Sequence, residues 1–192
     1  MNFLPSRADP DLWFRVSNET YEYIARYVDD LLIFAHCPAD IVKVLQDTFS
    51  VHIGGSDIFL GGDITFHDGC PFVSAKTYIT NTWKKVETLC SVELQHYDSP
   101  MATDDHPELD DTTTLDPRIN SVYRFLVGAY QWIITLGRMN ILQAVSALSH
   151  FTQIPHQGHL NRMLRVFGYL KFHSTLGIPM VPTVAVIPYK NC

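Results

Sequence analysis

No stretch of the 192 residues approaches the roughly 18 consecutive apolar side chains that a membrane-spanning helix requires. The first ten residues lack an apolar core and do not read as a secretory signal, so a cytoplasmic, reducing setting is expected. The four cysteines, at positions 37, 70, 90 and 192, have no Cys-x-x-Cys spacing. That removes a zinc knuckle and a disulfide framework from consideration. Internal repeats and low-complexity segments are also missing. What remains is 46% hydrophobic and 18% charged, the composition of a globular protein and not of a disordered one.

Acidic residues are absent from one long segment. Residues 117–192 carry 7 Lys and Arg and no Asp or Glu, whereas residues 1–116 carry 7 bases and all 20 acids. The net charge of −6 therefore conceals halves of −13 and +7. Acids are densest from Asp98 to Asp116, where no Lys or Arg interrupts them. Two readings stand: solvated faces of unequal composition, or a phosphate-facing surface in the acid-free segment with the acidic stretch held out in solvent. On the second reading Arg162, Arg165 and Lys171 face nucleic acid.

Apolar and aromatic runs predict strands over Leu12–Val16, Tyr21–Tyr27 and Leu31–Ala35, with the turn-prone Ser17-Asn18-Glu19-Thr20 between the first two. Pro38 suits the first turn of a helix carrying Ile41, Val44, Leu45 and Phe49. Ile58–Phe66 returns to strand, broken by Gly61-Gly62, and Ile79, Trp83, Val86 and Cys90 form a helical stripe. Prolines 100, 107 and 117 mark a loop, after which the chain reads as helical. Asn140 and Gln143 have the spacing of a capping box. Tyr130 and Trp132 continue a helical stripe and are expected in the core. His150, His156 and His159 are expected to be structural or exposed, because no Cys or carboxylate lies nearby in sequence to complete a metal site. The order of elements predicts an α+β fold. Its expected parts are residues 1–74 (strands with one helix), 75–97 (a helix), 98–117 (an acidic linker), 118–177 (helices) and 178–192 (an irregular tail).

The most informative stretch is Tyr27-Val28-Asp29-Asp30. Strand interiors disfavour aspartate, and neighbouring strand residues point to opposite faces, so two aspartates between apolar strands demand a tight reversal. Such a tip offers the oxygen ligands that hard divalent ions prefer. An ordinary Asp-rich turn is the bland alternative.

In its context, Tyr21-Glu22-Tyr23-Ile24-Ala25-Arg26-Tyr27-Val28-Asp29-Asp30-Leu31-Leu32-Ile33 resembles the signature of copia-type retrotransposon reverse transcriptases. Ser6-Arg7-Ala8-Asp9-Pro10-Asp11-Leu12 resembles the segment that precedes that hairpin. Phe59-Leu60-Gly61-Gly62-Asp63-Ile64 is similar to the family's Phe-Leu-Gly element. Tyr78-Ile79, Tyr123, Leu126-Val127-Gly128, Gln131-Trp132, Arg138, Ala144-Val145, Leu148-Ser149, Pro155, His159 and Tyr169-Leu170-Lys171 continue the likeness in order, so that it covers residues 3–177.

The resemblance implies part of a right-hand polymerase palm, antiparallel strands with a helix, followed by a helical thumb-like region. It implies RNA-directed DNA polymerisation by two metal ions, Mg²⁺ or Mn²⁺, with Asp29 as the ligating member and Asp30 beside it. Tyr27 and Val28 would lie beneath the primer terminus. Leu60, Gly61 and Gly62 would belong to a primer-gripping hairpin, a simple bulge at the glycines being the alternative. Read from their positions alone, Lys76, Lys84 and Lys85 flank the following helix either as solvated residues or as contacts to a primer–template backbone. The implied partners are RNA/DNA primer–template, deoxynucleoside triphosphates, and the remainder of the reverse transcriptase and ribonuclease H polyprotein; no membrane is expected.

The family's other palm aspartate and its fingers are not matched here, so the chain is expected to be an inactive fragment of that polymerase. The alternative is a catalytically dead remnant that at most binds nucleic acid or plays a structural part. Arg26, where the family strand is usually apolar, reads as a buried charge that damages the palm.

Overall fold

Alternation of side chains along residues 12–34 produces the first structured part of the chain. The structure, a computed structural model, describes residues 1–17, 20–55, 57–67 and 70–179. It divides into two units, residues 1–56 and 57–192. The fold is α+β with antiparallel sheets and five α-helices among the described residues.

The first unit is a sheet in the order β1 (Leu4–Pro5), β2 (Leu12–Ser17), β3 (Thr20–Tyr27), β4 (Asp30–Phe34), followed by α1 (Pro38–Gln46). The reversal between β2 and β3 includes Asn18 and Glu19, which lie outside the described residues. Directly opposed residues share a face. Phe14 opposes Tyr23 and Leu4, Val16 opposes Tyr21, and Tyr23 opposes Phe34. This face is therefore almost wholly apolar, yet Leu4, Val16, Tyr21, Tyr23 and Tyr27 are exposed. The other face carries Arg15, paired with its cross-strand partner Glu22 at 2.6 Å. Among the described residues, the buried apolar side chains of this unit are Ile24 and Ile41. Two such side chains are a thin core for 56 residues, since burial at about 25 cal/mol per Å² must offset the entropy of ordering the chain.

Arg26 is not the buried charge the sequence suggested. It lies half exposed and donates from Nε to Asp11 Oδ1 at 2.9 Å. Asp11 belongs to the segment just before β2, so the two departures from an apolar strand answer one another.

The second unit begins with the hairpin β5 (Ile58–Phe59) and β6 (Gly62–His67), continues through β7 (Cys70–Ser74), and then becomes helical: α2 (Lys76–Cys90), α3 (Pro117–Thr135), α4 (Leu142–Ser149) and α5 (Gln157–Phe172). Asp116 caps α3 by accepting from the amides of Arg118 and Ile119, with Pro117 at the first helical position. The four helices enclose one core that includes Ile79, Val86, Leu126, Ile133, Leu148, Met163 and Phe167. Two phenols are buried in it with partners: Tyr123 donates to the Leu148 carbonyl and Tyr130 to that of Met163. Trp132, expected in the core, is 40% exposed.

After α5 the chain returns as β8 (Gly177–Pro179), antiparallel to β7, where the sequence suggested an irregular tail from residue 178. Residues 180–192 lie outside the described residues. The β7–β8 ladder joins the strands at 58–74 to the helices, which is why the chain divides near residue 56 and not near residue 74. The sequence also placed a cap at Asn140. Instead a 3₁₀ turn (Met139–Ile141) precedes α4, and the Asn140 side chain bonds Arg138 and Tyr169.

The β5–β6 turn shows why glycine stands at 61. Phe59 opposes Gly62, so Leu60-Gly61 is a two-residue loop, and both residues have positive φ, +51° and +76°. That is the type I′ pattern, which matches strand twist and penalises a Cβ. A Cβ on Gly61 would also stand 3.4 Å from Trp132 Nε1. We expect Gly61→Ala to lower stability by about 1–2 kcal/mol in denaturant titrations. Gly54→Ala, which meets nothing within 4 Å, should stay within about 0.5 kcal/mol of the parent.

Candidate active site and its charged surroundings

Strands β3 and β4 pair in register from Tyr23↔Phe34 to Tyr27↔Asp30, which leaves Val28-Asp29 as the two-residue loop. The apolar–acidic–apolar pattern is thus resolved by a hairpin with Asp29 in the turn and Asp30 at the first position of β4. Tyr27, Val28, Asp29 and Asp30 are all exposed. Val28 has φ +52°, an unusual value for a β-branched residue, and its side chain buries little in return. Among the described residues neither aspartate side chain enters an ion pair or a hydrogen bond. Two free carboxylates at one tip are a suitable donor set for a hard dication, which takes one or two carboxylates and completes its shell with other oxygens.

The second group of candidates lies in the other unit. Leu60 and Gly61 form the type I′ turn, and Gly62 is buried with Leu136 beside it. The glycines thus have a close neighbour within their own unit, the Trp132 and Leu136 side chains of α3. Asp63 of the same motif accepts from the Thr77 amide and so caps α2, which lacks a side-chain cap of its own. Lys76, Lys84 and Lys85 are exposed on α2, and Lys85 Nζ sits 4.6 Å from the centre of the Phe125 ring.

The basic residues of α5 are placed differently from the sequence-based expectation. The acidic stretch does not stay in solvent; it lies along the start of α5, with Leu115 bonded to Pro155 and Gln157 to Thr113 through the backbone. Arg162 Nε donates to Asp105 Oδ1 at 2.8 Å and Nη1 donates to Asp110 Oδ2. The Asp110 side chain is only 4% exposed. Arg165 reaches Ser99 Oγ at 3.1 Å and stacks over Tyr97. Lys171 pairs with Glu87 of α2 at 2.7 Å. Bases that meet no acid in their own segment meet acids folded back from others, so the sequence split in charge is not a split on the surface.

His159 completes this region. It is buried, its Nδ1 accepts from the His156 amide at 2.9 Å, and its Nε2 is 2.9 Å from the Pro107 carbonyl. The proton therefore sits on Nε2, and the neutral ring links the start of α5 to the acidic stretch. A capping box usually has Ser or Thr with Glu or Gln, so a His–His version was not legible.

Burial alone would raise the Asp110 carboxyl, but hydrogen bonds from Thr112 and Arg162 outweigh it and hold the pKa at about 2, against 3.8 for the unperturbed group. A depressed carboxylate stabilises the fold above its unfolded pKa and ceases to do so as pH falls through the folded value. The contribution is about 2 kcal/mol at neutral pH and fades between roughly pH 4 and 2. Asp110→Asn should lower the melting temperature at pH 7 and remove most of the loss between pH 4 and 2. Melting curves against pH, parent beside variant, would check this. The same titration should leave Asp29→Asn and Asp30→Asn within about 0.5 kcal/mol of the parent, because neither carboxylate has a structural partner.

No protein-family model matches the chain, and no solved structure matches it. Two curated proteins do. A transposon Ty5-1 protein of Saccharomyces cerevisiae is 31% identical over 185 residues, covering 88% of this chain and 55% of that protein. The retrovirus-related Pol polyprotein from transposon RE1 of Arabidopsis thaliana is 27% identical over 184 residues, covering 93% of this chain and 12% of the polyprotein. The chain thus spans about half the length of the first and about an eighth of the second. These relatives, retrotransposon proteins of the Ty5/copia type, support a retrotransposon polyprotein origin. No helix among the described residues is long and apolar enough to cross a membrane.

Proposed function

We propose that the chain is a piece of an RNA-directed DNA polymerase, the reverse transcriptase of a copia-type retrotransposon, and that it does not polymerise alone. The observation that carries this reading is the β3–β4 tip, where two unpartnered carboxylates are presented on a hairpin with positive φ at Val28. Asp29 and Asp30 hold Mg²⁺ or Mn²⁺, which when bound supplies charge neutralisation for substrate phosphates and activation of the attacking oxygen. Tyr27 and Val28 lie beneath the primer terminus, and Leu60, Gly61 and Gly62 form a turn against the primer. Lys76, Lys84 and Lys85 make phosphate contacts, which their exposure permits. Arg162, Arg165 and Lys171 are given a smaller part in that surface, since their heads are already engaged within the chain. The substrates are a primer–template and deoxynucleoside triphosphates; the partners are the rest of the reverse transcriptase and its ribonuclease H.

The thin core and exposed apolar face of the first unit support a part that is completed by other polypeptide. One hairpin also cannot assemble a two-metal centre by itself. We expect purified 1–192 to give no primer extension with Mg²⁺ or Mn²⁺. Residues 21–34 transplanted into an active copia-type reverse transcriptase should retain extension, and Asp29→Ala in that chimera should reduce it by at least about a thousandfold. Extension indifferent to Asp29→Ala would remove the catalytic role. Extension by the isolated chain, abolished by Asp29→Ala, would overturn the fragment reading.

A further inference from the structure

We propose that His96, Asp98 and His173 form a binding site for a divalent transition-metal ion of the Zn²⁺ class. His96 and Asp98 lie in the segment after α2, and His173 is the C-cap of α5. Their ligand atoms lie within 4.8 Å of one another, and His96 Nε2 is 3.5 Å from Asp98 Oδ1. Bonds of about 2.0–2.1 Å in a tetrahedral site put ligand atoms about 3.3–3.5 Å apart, so one pair already has the required spacing. Rotation of the exposed His96 and Asp98 side chains closes the remainder.

Three further features favour a cation here. His173 Nε2 is shielded from solvent and has no hydrogen-bond partner, although imidazole nitrogens out of water are normally satisfied. Both rings also have aromatic neighbours: His173 lies against Tyr169 with centroids 4.6 Å apart, and the exposed His96 against Phe172 at 4.4 Å. The site stands at the C-terminus of a 16-residue helix, whose last carbonyls favour positive charge. Two cations lie nearby. Lys171 is neutralised by Glu87, and Arg138 donates to the His173 carbonyl at 2.8 Å, on the backbone and not the ring.

Two imidazoles and one carboxylate suit a borderline ion and not Mg²⁺ or Ca²⁺, which prefer oxygen shells. The fourth position stays open to water. Such an ion would tie the end of α2 to the end of α5, and it rests on none of the residues assigned to polymerisation.

The test is a calorimetric titration of untagged 1–192 with zinc chloride, paired with melting curves. We expect one ion per chain, micromolar affinity or better, and a rise of at least about 5 °C at a hundredfold excess over Kd. His96→Ala and His173→Ala should each weaken binding at least about tenfold, while His150→Ala, on the exposed end of α4, leaves it unchanged. Should His173→Ala fail to fold, the exposed His96→Ala and the isosteric Asp98→Asn carry the comparison. No saturable binding below about 100 µM, or affinity indifferent to His96→Ala, would overturn the site. Equal competition by magnesium chloride would do the same, since it would mean a general electrostatic patch.

Discussion

The pairing of Arg162 with Asp105 and Asp110 is the constraint around which the second unit is arranged. A carboxylate as shielded as that of Asp110 loses most of its hydration, and only a charged partner plus further donors offsets the cost. Arg162 supplies the charge, and Thr112 donates to Asp110 as well. Gly158 makes the approach possible, because a Cβ there would fall 1.7 Å from Asp110 Oδ2. His159, neutral and bonded at both nitrogens, fixes the same stretch one step further along. The long proline-bearing connection between α2 and α3 is therefore held against α5, which lets α2, α3 and α5 share one core.

That arrangement explains what the sequence could and could not disclose. The β3–β4 hairpin was legible because its pattern is local: apolar runs on both sides and two aspartates between them that fit neither strand. The α3 cap is equally local, yet Asp116 and Pro117 fall in the stretch that the sequence assigns to the acidic linker. The fate of the α5 arginines was not legible, since Arg162 and Asp105 are separated by 57 residues and nothing in either segment names the other. Charge counted along a chain describes composition, and charge on a surface is what remains after such pairs form. The strand at Gly177–Pro179 was hidden likewise, because its three residues become a strand only where β7 offers an open edge. Arg26 failed in the opposite direction: a family expectation of apolar surroundings missed Asp11, which answers it at the surface.

The two units differ in what they can support unaided. The second has a continuous core with buried tyrosines whose hydroxyls are satisfied, the signature of a specified interior. The first has, among the described residues, two ion pairs, two buried aliphatic side chains and a broad aromatic face left exposed. Catalytic groups must be held within about 0.5 Å of their working positions, and that rigidity comes from packing behind the hairpin. The carboxylates of Asp29 and Asp30, proposed above as metal ligands, therefore sit on the less supported of the two units.

The tip itself is where local stability rules are broken without local return. A valine at φ +52° costs on the order of 1 kcal/mol relative to glycine, and its side chain buries little. The two adjacent carboxylates receive no hydrogen bond among the described residues. Asp110 and Glu22, in contrast, are shielded acids, and each is surrounded by donors, Glu22 by Arg15 and the His36 amide. Asp29 and Asp30 have no such company. Exposed acids without a side-chain partner also occur elsewhere among the described residues, at Asp40, Asp47 and Asp111. The hairpin tip is set apart from Asp110 and Glu22 by two exposed carboxylates and a positive φ within one short turn, and that combination is what supports the proposed metal-holding role.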